Sequence, residues 1–197
     1  MAADIQPHIV FTKKFPGSYP EFYQIVLQPS GEGTYRETPD EEPVTFNLSL
    51  EDATSVFLLA KKLDHFSRPL EANLPVAKTG IKHFEWINGK EKHEVEFNYT
   101  QDVSGQEILR WFEKIGESNR LLLKLEHATR FDKLGVNDVL LDIQSAWDHK
   151  RLVANKEFLP LLDKVAKNAS FLNVARRRAI GLAKAIRNYI ETHNLTP

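Results

Sequence analysis

Cysteine is absent from the 197 residues. Disulfides, thiolate nucleophiles and thiolate-held zinc or iron–sulfur sites are therefore excluded. Long apolar runs are missing too. The longest, Val56-Phe57-Leu58-Leu59-Ala60, stops at Lys61 and falls far short of the ~18 residues that a membrane span needs. A soluble chain without a membrane span is expected. Gly-x-Gly-x-x-Gly, Walker, Gly-x-Ser-x-Gly and His-Glu-x-x-His patterns are all lacking, so nucleotide-loop, nucleophile-elbow and zinc-protease chemistry have no local signature. The Gly-rich stretch Pro29-Ser30-Gly31-Glu32-Gly33 joins two strands and leads into no helix N-terminus, so it reads as a hairpin turn and not a phosphate loop. The acidic loop Pro39-Asp40-Glu41-Glu42-Pro43 lacks the spaced ligands and central glycine of a calcium loop. No cofactor and no metal is expected.

What is present is ordinary in amount and uneven in placement. A hydrophobic fraction of 42% and a charged fraction of 27% are those of a globular chain, which argues against wholesale disorder. The formal net charge is −1, yet residues 150–197 carry ten Lys and Arg against three acids, an excess of +7 that leaves −8 elsewhere. Such asymmetry signals either an anion-binding surface or two parts that complement each other in one fold; the second reading is preferred. The start, Met1-Ala2-Ala3-Asp4-Ile5-Gln6-Pro7, has no apolar signal core and resembles a mature end left by small-residue cleavage. That tilts the expected location slightly toward export over the cytoplasm. Asn-x-Ser/Thr sequons at Asn47, Asn98, Asn168 and Asn194 carry little weight, since Asn47 and Asn98 fall in expected strands.

The hydrophobic period changes near Gln101-Asp102. Before it apolar residues alternate, as in Val44, Phe46, Leu48 and in Val95, Phe97, Tyr99; after it they recur at three and four, as in Ile108, Phe112, Ile115 and in Ala175, Ala179, Leu182, Ile186. Alternation marks strands with one buried face, and the 3.6 period marks amphipathic helices. The expected fold is α+β: an antiparallel sheet of five or six strands with one embedded helix, packed against a C-terminal bundle of four to five helices. The expected division is a β-rich part, 1–102, with its helix at 50–66, and an all-helical part, 103–197, packed as one compact unit.

Strands are expected at 8–15, 21–28, 34–37 and 44–48, and Ser49 with Asp52 three residues on predicts the start of the first helix. Its buried stripe would be Leu50, Ala53, Phe57, Ala60 and Leu63. Asn88-Gly89 between β-type residues predicts a two-residue hairpin turn, which sets Lys82 opposite Val95, Phe84 opposite His93 and Trp86 opposite Glu91. Phe84, Trp86, Val95, Phe97 and Tyr99 then share one side. Helices should follow from Ser104, interrupted or weakened at Gly116, with Gly135 behind a helix C-terminus, Asn137 and Ser170 as further caps, and Pro160 early in the penultimate helix.

The order of strands, a Leu-rich helix (Leu50–Phe66) and an Asn88-Gly89-Lys90 hairpin resembles that of small exported bacterial domains with no assigned function. Phe15-Pro16-Gly17-Ser18-Tyr19-Pro20 followed by Tyr23-Gln24-Ile25-Val26-Leu27 is similar to such proteins too. The likeness covers about residues 8–100. It implies an uncharacterised bacterial protein, and it carries over no activity and no site residue.

Candidate functional residues are few. His93 lies on the apolar side of the hairpin opposite Phe84 and near Trp86, and the Trp86/Phe84/Tyr99 sheet face becomes a partner site if it is left uncovered. Trp111 and Trp147 mark two helix faces of the same kind. On the last helix Arg177, Lys184 and Arg187 lie roughly along one side, while Arg178 points toward the Ala175/Leu182 stripe and an acidic partner. The favoured function is a non-catalytic binding or interaction module, its partner another protein. The alternatives are a hydrolase using His93 or His127 with nearby acids, and an anion binder using the basic last helix. Nucleic acid is disfavoured, because no aromatics interleave with the basic residues. The oligomeric state is left open by the sequence.

Overall fold

The computed structural model describes residues 6–193; the start read above as a mature end, Met1–Ile5, and the sequon at Asn194 lie outside the described residues. Six strands, β1 (His8–Lys14), β2 (Phe22–Leu27), β3 (Glu32–Arg36), β4 (Val44–Asn47), β5 (Ile81–Asn88) and β6 (Glu91–Phe97), form one antiparallel sheet in the order β4-β3-β2-β1-β5-β6. Helix α1 (Leu50–Lys62) lies between β4 and β5 in the chain, and α2 (Val103–Phe131), α3 (Val136–Asp148), α4 (Leu159–Lys167) and α5 (Asn173–His193) follow. The fold is α+β, as expected. The chain divides into two compact units, one up to Gly116 and one from Glu117, so the division falls within α2, not where the hydrophobic period changes.

In the first unit, strand parity builds the core. Phe84, Phe11, Ile25 and Tyr35 face one another across β5, β1, β2 and β3, and Trp86, Ile9 and Leu27 form the next row. All seven are at most 6% exposed. Phe112 of α2 packs against both Phe11 and Phe84, with ring centroids 5.1 and 5.2 Å apart. Phe57 of α1 meets Trp86 edge-on.

Ser49 caps α1 by accepting the Asp52 N–H at 3.1 Å. The buried face is Ala53, Val56, Leu59 and Ala60; Leu50, in the first turn, is 67% exposed. The helix ends at Lys62, four residues before the expected Phe66. Asp64, His65 and Phe66 instead form a left-handed turn, with φ of +50°, +52° and +66°. Such a turn costs about 1–2 kcal/mol per L-residue. The compensation is visible: Leu63 and Phe66 are fully buried, and Phe66 stacks on Phe84 at 5.0 Å. A regular helix through 66 would put Phe66 elsewhere.

The β5–β6 hairpin forms with the expected inward face but a shifted register. Asn88 pairs with Glu91, Trp86 with His93, Phe84 with Val95 and Lys82 with Phe97. The central turn residues are Gly89 and Lys90, and only Gly89 has positive φ, +61°. This is the pattern of a turn with glycine at its first central position, whereas an Asn-Gly turn needs positive φ at both. A shift of two residues preserves parity, so Phe84, Trp86, Val95 and Phe97 still share a side.

Helix α2 starts at Val103, capped by Asp102, whose Oδ1 accepts the Gly105 N–H at 2.9 Å; Ser104 is already inside it. It runs unbroken past Gly116. A Cβ there would lie 2.9 Å from the Tyr23 ring, so this glycine is explained by a close approach and marks no helix end. In the second unit, Gly135 precedes α3 in place of closing α2, Asn137 is inside α3, and Ser170 precedes the start of α5 by three residues. Pro160 occupies the first turn of α4. Leu125, Leu140, Ile143, Leu162, Val165, Ala179 and Ile186 form its fully buried core.

The two hairpin registers predict different costs. Gly89→Ala is expected to destabilise by about 1–2 kcal/mol through backbone strain alone, since a Cβ at 89 would meet nothing within 4 Å. Asn88→Ala should cost well under half of that, because Asn88 is a strand residue. Urea denaturation of both variants decides; equal losses would restore the Asn88-Gly89 turn.

Candidate functional site

The inward row that carries Phe84 and Trp86 on β5 also carries Lys82, and the row of Ile9 and Phe11 on β1 carries Lys13. Their Cα atoms are register partners. Two lysines thus stand opposite each other at one end of an otherwise apolar face. Lys82 is only 3% exposed. Its ammonium nitrogen donates to Thr79 Oγ1 at 2.7 Å and to the Asn98 carbonyl at 2.6 Å. Lys13 pairs with Glu113 of α2 at 3.0 Å.

These groups line a cavity of about 350 Å³ with Asn98, Tyr99, Thr100, Gln106, Leu109 and Arg110. The α2 wall follows from helical spacing: Gln106, Leu109, Arg110 and Glu113 stand at i, i+3, i+4 and i+7, hence on one face. Arg110 is exposed and has no hydrogen-bond or ion-pair partner among the described residues. The lining therefore holds three cationic side chains, Lys13, Lys82 and Arg110, against one acid, Glu113. Burial pushes the Lys82 amine below its ordinary range, and the Lys13 charge adds to this; Glu113 and Glu71 pull the other way.

The wall opposite α2 is irregular chain fixed by polar bonds. The Asn98 N–H donates to Glu71 at 2.6 Å, and its side chain accepts from the Thr79 N–H at 3.0 Å and donates to the Ala77 carbonyl at 3.2 Å. The Asn98 N–H holds the Glu71 carboxyl below the usual range, with the Asn73 N–H assisting. Asp102 is likewise held low, first by the Arg68 guanidinium at 2.7 Å and then by the Gly105 N–H.

Of the aromatic face expected from sequence, Phe84 and Trp86 are placed together but not at the surface, while Tyr99 lies beyond β6 and is 39% exposed. Phe84 is fully buried and Trp86 is 6% exposed. His65 lies flat on Trp86 with ring centroids 4.2 Å apart. His93, the cross-strand partner of Trp86, has Glu91 of its own strand at 3.7 Å. The Trp86 indole N–H and His93 Nδ1 are buried without a protein partner. Trp111 is half-buried under Lys114, whose ammonium lies 5.5 Å from the ring centroid.

Arg177, Lys184 and Arg187 are all exposed along one side of α5, but they differ in what they meet. Arg187 is held by Asp163 of α4 at 2.6 Å. Arg178 donates to the side-chain oxygens of Asn137 and Gln144 on α3, amides where an acid was expected. Arg177 lines a groove between α3 and α5 with Trp147 and Asp148, and Lys184 lines neither that groove nor the first-unit cavity. His127 is exposed on α2, 5.1 Å from the Phe131 ring. Among the described residues no group of three His, Asp or Glu side chains is arranged to hold a metal ion.

Lys13, Lys82, Arg110 and Glu113 escape a motif search. The signal for the lysines is parity: Lys82 precedes Phe84 and Trp86 by steps of two, and Lys13 follows Ile9 and Phe11 likewise. No protein-family model matches the chain, and no match is found among curated proteins.

Unfolded carboxylates bind protons at higher pH than Glu71 and Asp102 do in the fold. The stability they contribute is present above the ordinary carboxylate range, near pH 4, and is lost as pH falls through their lowered values. Glu71→Gln and Asp102→Asn should each be less stable at pH 7 by about 1–2 kcal/mol and lose less on acidification. Denaturant midpoints from pH 7 to pH 2 test this; acid profiles parallel to that of the parent chain would refute the assignment.

Proposed function

We propose that the first unit is a binding module for a small organic anion of carboxylate type, received between Arg110, Lys13 and Lys82. The observation that carries this is the excess of cationic over anionic side chains around one small polar cavity. It persists whether Lys82 is charged or neutral, since Lys13 and Arg110 outnumber Glu113. Arg110, with no partner of its own, offers a planar fork suited to a carboxylate. Hydroxyls and amides of Thr79, Thr100, Asn98 and Gln106 supply orienting groups beside Leu109, a mixture usual in ligand sites, and the volume lies within the usual range of roughly 300–1,000 Å³.

This keeps the non-catalytic binding reading and moves anion recognition from the last helix to the sheet. A partner protein on the Trp86 face finds less support, because that face is covered. The hydrolase reading also finds less, since the carboxylate near His93 belongs to the same edge strand and His127 stands on an exposed helix face.

Calorimetric titration with acetate, malonate, succinate and phosphate tests the proposal. At least one carboxylate should bind, more weakly as salt rises. Arg110→Gln should weaken it about 10–100-fold, the equivalent of one charge-assisted hydrogen-bonded pair, while Arg187→Gln leaves it unchanged. Binding that survives Arg110→Gln, or follows Arg187, would overturn the site.

A further inference from the structure

We infer that the anion received here also carries a carbonyl group, as a 2-oxo acid does, and that the Lys82 amine joins its carbonyl carbon in a reversible imine. The inference rests on the binding reading above and names the ligand class.

Donor counting leads to it. A neutral amine has two N–H groups and one lone pair, and Lys82 has two protein acceptors, Thr79 Oγ1 and the Asn98 carbonyl. With both hydrogens placed on the wall, the lone pair takes the remaining tetrahedral direction. Lys82 itself lines the cavity. Its burial, and Lys13 directly across the strand pair, shift it toward the neutral amine, against the smaller pull of Glu113 and Glu71 toward the ammonium. A desolvated lysine beside a second cation is a recognised route to an amine nucleophile. Arg110 supplies a seat for the acid group, and Glu113, on the same lining, supplies a carboxyl for proton transfer.

The step balances without an oxidant or reductant. The amine lone pair forms a C–N bond to the carbonyl carbon, and the C=O π pair moves to oxygen, which takes a proton. The nitrogen gives up a proton to the Glu113 carboxylate or to solvent, giving a neutral carbinolamine. That intermediate then loses its hydroxyl as water, assisted by a proton, and the nitrogen's remaining hydrogen leaves as the C=N bond forms. The net change is amine plus carbonyl to imine plus water, and hydrolysis reverses it.

The full chain is incubated with pyruvate and cyanoborohydride at neutral pH, then digested and mapped by mass spectrometry. The reagent reduces any imine to a stable secondary amine. Lys82 should be labelled at least tenfold faster than the exposed Lys61, Lys62 and Lys90 of the same molecules, so no variant need fold for the comparison. Arg110→Gln should slow Lys82 labelling about tenfold and leave Lys90 unchanged. Labelling of Lys82 no faster than of the surface lysines overturns the imine. If pyruvate still binds by calorimetry and Arg110→Gln abolishes that binding, the imine alone has failed. If pyruvate and the simple carboxylates all fail to bind, the binding reading has failed with it.

Discussion

A strand that turns Phe84 inward turns Lys82 inward as well. Side chains two residues apart leave a strand on the same face, and the sheet has no means of exempting one position without a bulge. The same pleat commits Lys13 behind Ile9 and Phe11, and the antiparallel register sets the two lysines opposite each other. Like charges in that relation destabilise a sheet. Glu113 answers Lys13, and a hydroxyl with a backbone carbonyl answers Lys82. The polar end of the first unit is organised around these two answers.

Much of the local geometry follows from them. The carbonyl that serves Lys82 belongs to Asn98, the first residue after β6, and Asn98 is fixed in turn by Glu71, Thr79 and Ala77. The chain has only four residues from there to Asp102, which both caps α2 and receives Arg68. Holding the helix start in this way sets the phase of its first turns. The phase presents Gln106, Leu109, Arg110 and Glu113 together, and it puts Gly116 where the Tyr23 ring needs room. Cap, ion pair and cavity wall are therefore successive consequences of where β6 ends.

The sheet, α1 and the series of C-terminal helices were legible because each rests on a periodic pattern several residues long. The inward faces of β5 and β6 were legible for the same reason, even though the turn between them forms one step later than Asn88-Gly89 suggests. What was not legible depends on a single distant contact. Nothing local in Asp64-His65-Phe66 announces a left-handed turn; Phe66 takes that conformation because Phe84 and its neighbours offer it a buried position. Likewise Gly116 reads as a helix breaker until Tyr23 is seen against it. The cavity joins β1, β5, the residues around Thr79 and after β6, and one face of α2, so no window of sequence contains it. Its two lysines were visible in principle, as charged residues in apolar parity.

Stability alone gives no reason for a lysine at 82. A methionine would fill much the same volume, remove the repulsion from Lys13 and spare the desolvation of an amine. Replacing buried charged groups by apolar ones of similar size is often neutral or stabilising. The apolar residue would leave the Asn98 carbonyl without this donor, a cost of about 1–3 kcal/mol when the group is buried. That loss is comparable to the gain, so the balance does not strongly favour the charged residue. What the methionine cannot supply is an amine on the lining of a cavity that also holds Arg110 and Glu113. Departures from local consistency tend to gather where a fold does chemistry or binding. By that standard the place to look for function in this chain is the polar end of the inward face of β1 and β5, not its aromatic centre.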